Sequence, residues 1–255
     1  MKKLQLLGSL LLVLFFGRIS AQEKTEQVFQ AGEQLTYLAH FGIFNAGEAT
    51  FSVERTRYDS MEVFHAVAKA NTIGIADRIY EVRDVYESYF DMKTGLPYLA
   101  IRNINEGNYR YYNEVKFFHA QKSVLSQKSG EHEVAPTILD MVSAFYYLRN
   151  SLFEELSPGD IVVLDTFFAD EVFPLKVRYK GIEKIKTKLG RFEVMRFVPV
   201  VEPGRIFDSE DDVTIWITND KNFIPVQVRI DLIVGSIKCD LVAYEGLKYP
   251  LDAKK

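Results

Sequence analysis

The sequence predicts a mostly β protein, a curved antiparallel sheet or barrel-like domain with one main amphipathic helix packed against it. Apolar and polar residues alternate along most of the chain, with the period of two that marks half-buried strands. The 255 residues include 19 phenylalanines and 14 tyrosines, and aromatic side chains pack well on pleated surfaces. One segment, residues 136–150, has its apolar residues at helical spacing instead.

Residues 1–21 have the pattern of a secretory signal peptide. Lys2 and Lys3 precede a nearly unbroken apolar run at residues 4–16, and small residues then suit cleavage after Ala21. The run is too short to span a hydrocarbon core of ~30 Å as a helix. Residue 22 is glutamine, whereas a lipid anchor needs cysteine. We therefore expect a soluble periplasmic protein with no transmembrane segment after signal cleavage, and full secretion stays open.

The first strand-rich half covers about residues 31–129. Alternating apolar residues mark its first strands around residues 35–41, 49–53 and 64–70, and further strands follow at about 80–90, 98–104 and 109–118. In the third strand, the inward face carries only Ala66, Ala68 and Ala70 after Phe64. These small side chains leave space, which we expect the helix to fill.

The predicted helix covers residues 136–150. Its apolar stripe follows the i, i+3, i+4, i+7 spacing of an amphipathic helix and consists of Ile138, Met141, Val142, Phe145 and Leu148. Pro136 suits the first turn, and the positive charge of Arg149 suits the carboxyl end. Tyr146 and Tyr147 lie beside the stripe, so we expect the helix to be buried on several sides and to join the two halves.

A second strand-rich half covers about residues 159–248. Strands are predicted around residues 175–179, 192–198, 213–217, 224–232 and 237–244, and the short turns between neighbours favour antiparallel pairing. No linker rich in proline, glycine or serine separates the halves. We therefore expect one domain over residues 22–255.

Charge and cysteine content exclude several classes of protein. The net charge is −4, and it becomes −7 when the three basic residues of the predicted leader are removed. A mildly acidic chain lacks the clustered basic surface that nucleic acid or anionic head groups need. Cys239 is the one cysteine, which rules out an intramolecular disulfide. Alternation predicts that Cys239 is an inert thiol on a buried face with Ile237, Leu241 and Ala243.

No metal or cofactor site is predicted. The four histidines are scattered, without the close spacing that zinc ligands show, at positions His40, His65, His119 and His132. The acidic run Asp208–Asp212 lacks the central glycine and closing glutamate of a helix-flanked calcium loop, which favours a solvated loop.

No catalytic residue is predicted either. The sequence has no nucleophile elbow, serine–lysine pair or phosphate-binding loop in a suitable context. Asp84, Glu87 and Asp91 resemble a carboxylate group for acid–base chemistry, but Asp84 and Glu87 point to opposite faces of a strand. Salt bridges with the nearby Arg78 and Arg83 are the favoured interpretation.

Five aromatic residues are candidates for lining a ligand groove. They are Tyr86, Tyr111, Phe145, Tyr146 and Trp216. Ordinary core packing is the competing interpretation, and for Trp216 it is the default because apolar residues surround it on its strand.

Several motifs taken together resemble one family. In order they are Gly32-Glu33-x-Leu35-x-Tyr37, Ala46-Gly47-x-Ala49, Asp84-x-x-Glu87-Ser88-x-x-Asp91, Asp140-x-x-Ser143-Ala144-Phe145-Tyr146-Tyr147-Leu148-Arg149 and Asp212-Val213-x-Ile215-Trp216-Ile217-Thr218-x-Asp220, followed by Ile224-Pro225-Val226. This set resembles the "domain of unknown function 3108" family of exported bacterial proteins over about residues 30–245. The resemblance implies a periplasmic, β-dominated domain and transfers no catalytic residue. More remotely, the architecture is similar to periplasmic lipoprotein carriers, an analogy of fold alone.

Two functions remain open at this point. The first is a non-enzymatic envelope protein that binds or helps move an apolar or amphipathic ligand such as a lipid. The second is a structural or protein-interaction module in envelope assembly, with a solid core, no small ligand and another envelope protein as its partner. An apolar pocket favours the first, and an exposed apolar patch favours the second.

Overall fold

The computed structural model describes residues 27–151, 156–200, 212–232 and 235–253. Two sequence predictions lie outside these ranges and stay predictions: the signal peptide at residues 1–21 and most of the acidic run, residues 208–211. Within the described ranges, neither helix has the length and apolar character needed to cross a membrane.

Fourteen strands, two α-helices and a short 3₁₀ helix (His119–Gln121, between β6 and β7) form the described parts of the chain. In chain order they are β1 (Glu33–Phe41), β2 (Phe44–Tyr58), β3 (Met61–Thr72), α1 (Gly74–Ile79), β4 (Arg83–Asp91), β5 (Pro97–Glu106), β6 (Tyr109–Phe118), β7 (Ser123–Ser126), β8 (Gly130–Glu133), α2 (Met141–Asn150), β9 (Ile161–Phe168), β10 (Glu171–Thr187), β11 (Gly190–Pro199), β12 (Val213–Thr218), β13 (Pro225–Asp231) and β14 (Ser236–Glu245).

All fourteen strands belong to one antiparallel sheet, ordered β8-β7-β6-β5-β4-β3-β2-β1-β14-β13-β12-β11-β10-β9. The chain therefore starts at the centre of the sheet, moves outward strand by strand to β8, and crosses to the opposite edge at β9. It then returns to the centre, where β14 pairs with β1. The predicted mostly β fold, with a curved antiparallel sheet and one main helix, is confirmed.

A side chain brings the two edges of the sheet together. Within the described residues β8 and β9 do not pair, but Asp170, in the turn after β9, reaches the other edge. Its carboxylate accepts hydrogen bonds from Ser126 at 2.5 Å, Ser129 at 2.9 Å, Asn113 at 3.0 Å and Tyr111 at 3.0 Å. The sheet thus curls round without a continuous backbone ladder.

The helix begins later than predicted, at Met141 and not at Pro136. Asp140 is the N-cap, and its carboxylate accepts from the backbone N–H of Val142 at 2.8 Å and of Ser143 at 3.1 Å, which satisfies donors at the helix start. The preceding Leu139 bonds to β9 instead, donating to the Asp165 carbonyl at 3.0 Å. Backbone groups that bond to a strand cannot also form the first helical turn. The prediction that residues 136–140 are helical was therefore wrong.

Ile138 therefore leaves the predicted helical stripe. It is buried in a separate cluster with Val115, Phe117, Val124 and Phe167. The rest of the stripe, Met141 to Leu148, lies on α2 as predicted.

The predicted buried face of β14 is also corrected. Leu241 is fully buried, but Cys239 is half-buried and Ala243 is exposed. A bulge in β14 explains the exposure of Ala243, because Tyr37 pairs with Leu241 while its neighbour Thr36 pairs with Ala243, which leaves Val242 as the extra residue. Adjacent residues face opposite sides of a sheet, so the bulge turns Ala243 away from the core.

Candidate ligand-binding crevice

An apolar crevice of about 500 Å³ lies between helix α2 and two distant parts of the sheet. Strands β2–β4 form one wall of the crevice and strands β9–β12 form the other. Helix α2 runs along the crevice between them. Its lining residues are apolar or aromatic throughout: Phe51, Ala68, Tyr86, Met141, Val142, Phe145, Leu148, Val162, Phe168, Leu175, Val177, Phe197, Pro199, Ile215 and Ile217. The only polar side-chain group among them is the hydroxyl of Tyr86.

Strand register builds the first wall. Phe51 pairs with Ala68, and Ala68 pairs with Tyr86, so the three side chains lie side by side on one face of the sheet. Two of the small residues of β3 that were predicted to leave space for the helix, Ala66 and Ala68, have different surroundings. Ala66 is buried against Val142 and other residues of the core, whereas Ala68 borders the open crevice.

Helix α2 lines the crevice with Met141, Val142, Phe145 and Leu148. The ring of Phe145 lies 4.8 Å from the ring of Phe51, centroid to centroid. Phe145 packs against the core clusters of both halves and also lines the crevice.

A cation lies just beyond Tyr86. Arg102 pairs with Tyr86 across β4 and β5, and its guanidinium carbon lies 4.4 Å from the ring centroid of Phe168 and 5.7 Å from that of Tyr86. Burial raises the pKa of the Tyr86 phenol, while the charge and hydrogen bond of Arg102 oppose the rise. A cationic side chain thus lies next to this end of the apolar crevice, outside its lining.

The five aromatic residues singled out from the sequence do not come together. Tyr86 and Phe145 line the crevice. Tyr111 lies beyond Arg102 with its hydroxyl on Asp170, and Tyr146 is 1% exposed in the core. Trp216 is 8% exposed, its indole N–H donates to Glu183, and Arg229 lies over its ring. The structure places three of the five outside the crevice, and ligand contact by Tyr86 and Phe145 stays a prediction.

Sequence reasoning missed the second wall, which includes Phe168, Leu175, Val177, Phe197 and Ile215. Alternation marked several of these residues as inward-facing, but it carried no information about which distant strand they would face.

The acidic residues of β4 bond to other partners than the predicted Arg78 and Arg83. Arg83 pairs with Asp77 at 2.6 Å, not with the carboxylates of its own strand. Asp84 accepts from the backbone N–H of Asn105 at 2.9 Å, and Glu87 bonds His65 at 2.7 Å. Asp91 accepts from the N–H groups of Lys93 and Thr94 in the following turn. The physical reason is distance, because the short helix α1 brings Asp77 closer to Arg83.

A second pocket, of about 570 Å³, lies at the β10–β11 turn. Charged residues of both signs line it, among them Lys184, Lys186, Arg191, Glu193 and Asp220. We regard the apolar crevice as the candidate site, because ligand pockets are mostly apolar with few polar groups. Within the described ranges, no three His, Cys, Asp or Glu side chains are grouped closely enough to hold a metal ion.

Comparison with known proteins gives one family and a structural likeness. The family model described as "Protein of unknown function (DUF3108)" matches residues 36–242. No curated protein is significantly similar in sequence.

Two solved structures are similar to the chain. The first is a β-barrel-like protein of domain of unknown function DUF1849 from Brucella abortus. It has a TM-score of 0.56 and 11% identity over 86% of this chain and 98% of that chain. The second, a DUF1089 family protein from Pseudomonas aeruginosa, has a TM-score of 0.32 and 8% identity over 84% of this chain and 92% of that one. The first likeness supports the barrel-like fold alone.

Proposed function

The chain belongs to the DUF3108 family, for which no function is assigned, and we propose that it is a non-enzymatic exported envelope protein that binds an apolar or amphipathic ligand. The site is the crevice between α2 and the two walls of the sheet. The signal-peptide pattern at residues 1–21 supports export to the periplasm.

One observation carries this proposal: a crevice of about 500 Å³ with no charged side chain in its lining. Ligand pockets span ~300–1,000 Å³ and are lined mainly by apolar and aromatic residues. Apolar surface left in water is unfavourable by roughly 25 cal/mol for each Å². A ligand that covers these walls removes that cost, which favours binding.

Filling the crevice tests the proposal. Ala68→Trp places a large ring in the middle of the first wall, and Ala243→Trp makes the same change at an exposed position of β14. We expect Nile red, a neutral apolar dye, to bind the wild type and Ala243→Trp equally. We expect Ala68→Trp to bind the dye at least about tenfold more weakly.

Dye fluorescence gives the affinities, and circular dichroism with urea denaturation checks that each variant is folded. Ala68→Leu, a smaller filling, serves if the tryptophan variant does not fold. Equal dye binding by the wild type and a folded Ala68 variant would contradict a ligand site in this crevice.

A second candidate function is protein interaction in envelope assembly, and one surface favours it. Large apolar residues are exposed together near the β1–β2 turn and α1: Phe41, Ile43, Phe44, Ile75, Ile79 and Tyr80, with Ile43 90% exposed. The two segments adjoin, since the Ile73 N–H donates to the Ala46 carbonyl at 3.0 Å. Exposed apolar patches often mark interaction surfaces.

Photo-crosslinking from position 43 in cells tests this second candidate. A discrete crosslinked product that disappears in Ile79→Ser would favour protein interaction. Absence of a product, together with dye binding that Ala68→Trp abolishes, would favour the ligand-binding function.

A further inference from the structure

We propose that Arg102 binds the head of the ligand, and that the ligand is a single-chain amphiphile with a carboxylate head, such as a fatty acid. This inference rests on the proposed function and adds the chemical class of the ligand. It depends on the register around Arg102, on the charges near it and on the size of the space beside it.

The register sets a gradient of polarity across the sheet. Phe51, Ala68, Tyr86 and Arg102 are successive partners on β2, β3, β4 and β5, so their side chains form one row on the same face. The row passes from apolar residues to an aromatic hydroxyl and then to a cation. An amphiphile with its chain over Phe51 and Ala68 would bring its head to Arg102.

Arg102 has no counter-charge within the described residues, where no carboxylate lies within ion-pair distance of it. Its Nε atom is buried and has no hydrogen-bond partner there. Its guanidinium is flanked by the rings of Phe168, Tyr111 and Tyr86. A buried polar group without a partner is unfavourable, and a ligand anion would satisfy it.

The acidic residues that line a small cavity together with Arg102 already have other partners. Asp170 accepts hydrogen bonds from four side chains, as described above. Asp140 accepts from Ser88 at 2.6 Å as well as from the start of α2, and Glu87 bonds His65. These three carboxylates line the same small cavity as Arg102, and within the described residues none of them forms an ion pair with it.

The size of that cavity favours a small head. Its volume is about 30 Å³, and it shares Tyr86, Met141, Val142 and Phe168 with the large crevice. One water needs about 10–15 Å³ in this measure, so the cavity holds a group of about two waters. A carboxylate has that size, and the guanidinium fork can bind its two oxygens together. A glycerol phosphodiester is too large.

Calorimetric titration of the full chain with dodecanoate and with dodecanol, below their aggregation limits, tests the inference. We expect the wild type to bind dodecanoate at least about tenfold more tightly than dodecanol. Arg102→Gln should lose this preference while its affinity for dodecanol stays unchanged. Arg57→Gln removes an exposed arginine of β2 and should behave as the wild type does.

Other outcomes separate this inference from the proposed function. Equal affinities for the two compounds in the wild type, or a preference that Arg102→Gln retains, would overturn the role of Arg102 and leave the crevice intact. Tighter binding of dodecyl phosphate than of dodecanoate would overturn the carboxylate head. Failure of both compounds to bind the wild type would refute the proposed function itself. Arg102→Lys, which keeps the charge but not the fork, serves if Arg102→Gln does not fold, and we expect it to show a reduced preference.

Discussion

Arg149 of helix α2 and Glu33 of strand β1 form a bidentate ion pair inside the core. The Nη1–Oε1 distance is 2.5 Å and the Nη2–Oε2 distance is 2.9 Å, and the side chains are 2% and 0% exposed. Arg149 also donates to the carbonyl of Asn222, at 3.2 Å from Nε and 3.1 Å from Nη2. One side chain thus connects the helix, the first half of the sheet and the turn before β13.

This pair has the joining role that the sequence suggested for Tyr146 and Tyr147. Tyr146 instead packs on the first-half side, 4.7 Å from the ring of Phe29 and 5.7 Å from that of Phe90, centroid to centroid. Burial alone would lower the pKa of Arg149, but the hydrogen bonds and charge of Glu33 raise it. Arg149 therefore stays charged, and Glu33 is its counter-charge.

Removing one partner of the pair should destabilise the protein strongly. We expect Arg149→Ala to lower the free energy of unfolding by ~3–5 kcal/mol, because it leaves the Glu33 charge buried and unpaired. Arg83→Ala is the matched control, since Arg83 also forms two bonds with a carboxylate, that of Asp77, but in a more exposed position, where the two side chains are 42% and 31% exposed. Exposed pairs contribute little, so its loss should be far smaller. Urea denaturation measures both, and similar losses would contradict the special role of the buried pair.

Two buried tyrosines should respond oppositely to loss of the hydroxyl. The hydroxyl of Tyr146 is buried and has no partner in the described part of the chain, whereas Tyr37 donates to the Pro225 carbonyl at 2.9 Å. Tyr146→Phe should leave stability unchanged or raise it. Tyr37→Phe should cost ~1–3 kcal/mol, because a buried acceptor loses its donor. Thermal and urea unfolding of the two variants measure the difference, and a larger loss in Tyr146→Phe would refute this prediction.

Asp140 and Asp170 should contribute to stability with opposite pH dependence. Burial raises the pKa of Asp140 above its ordinary value of 3.8, despite hydrogen bonds from Ser88 and Ser143. Burial acts the same way on Asp170, but hydrogen bonds from Ser126, Ser129 and Tyr111 outweigh it and lower the pKa. The folded state therefore favours the protonated form of Asp140 and the ionised form of Asp170.

The signs follow from proton linkage. The stability that wild type gains from Asp170 is present above pH 3.8 and is lost as the pH falls through the lowered value. The contribution of Asp140 is greatest below pH 3.8 and declines as the pH rises through the raised value. We expect the difference in unfolding free energy between wild type and Asp170→Asn to grow as the pH rises through the acidic range. The corresponding difference for Asp140→Asn should shrink as the pH rises. Parallel curves would contradict the assigned shifts.

Cys239 should react slowly in the folded protein. The thiol is free and half-buried, and burial, with the neighbouring Asp240 charge, raises its pKa. Less thiolate means slower attack on a disulfide reagent. We expect labelling with Ellman's reagent at neutral pH to be slow in buffer and fast in urea. Equal rates in the two conditions would show that the thiol is freely accessible.

Local sequence pattern determined much of the fold. The period of two identified strands such as those around Tyr37, Phe51 and Trp216, and the helical spacing identified the stripe from Met141 to Leu148. These features depend on neighbours in sequence, because the pleat and the helical turn repeat over a few residues. The prediction of the helix start was wrong because Leu139 bonds to β9, and no local sequence pattern reveals that partner.

Only the tertiary structure decided the candidate site. Ala68 and Tyr86 come together through register in adjacent strands, but Phe168 and Ile215 join them because the chain crosses from one edge of the sheet to the other. The same crossing places Arg149 on Glu33 and separates Tyr86 from Trp216, which looked equivalent in sequence. The sequence by itself determined which residues prefer burial on a strand or a helix, since that preference follows from their chemistry and spacing. Which buried faces meet, and where they leave a crevice, depends on long-range packing, because apolar surfaces are attracted to one another without direction.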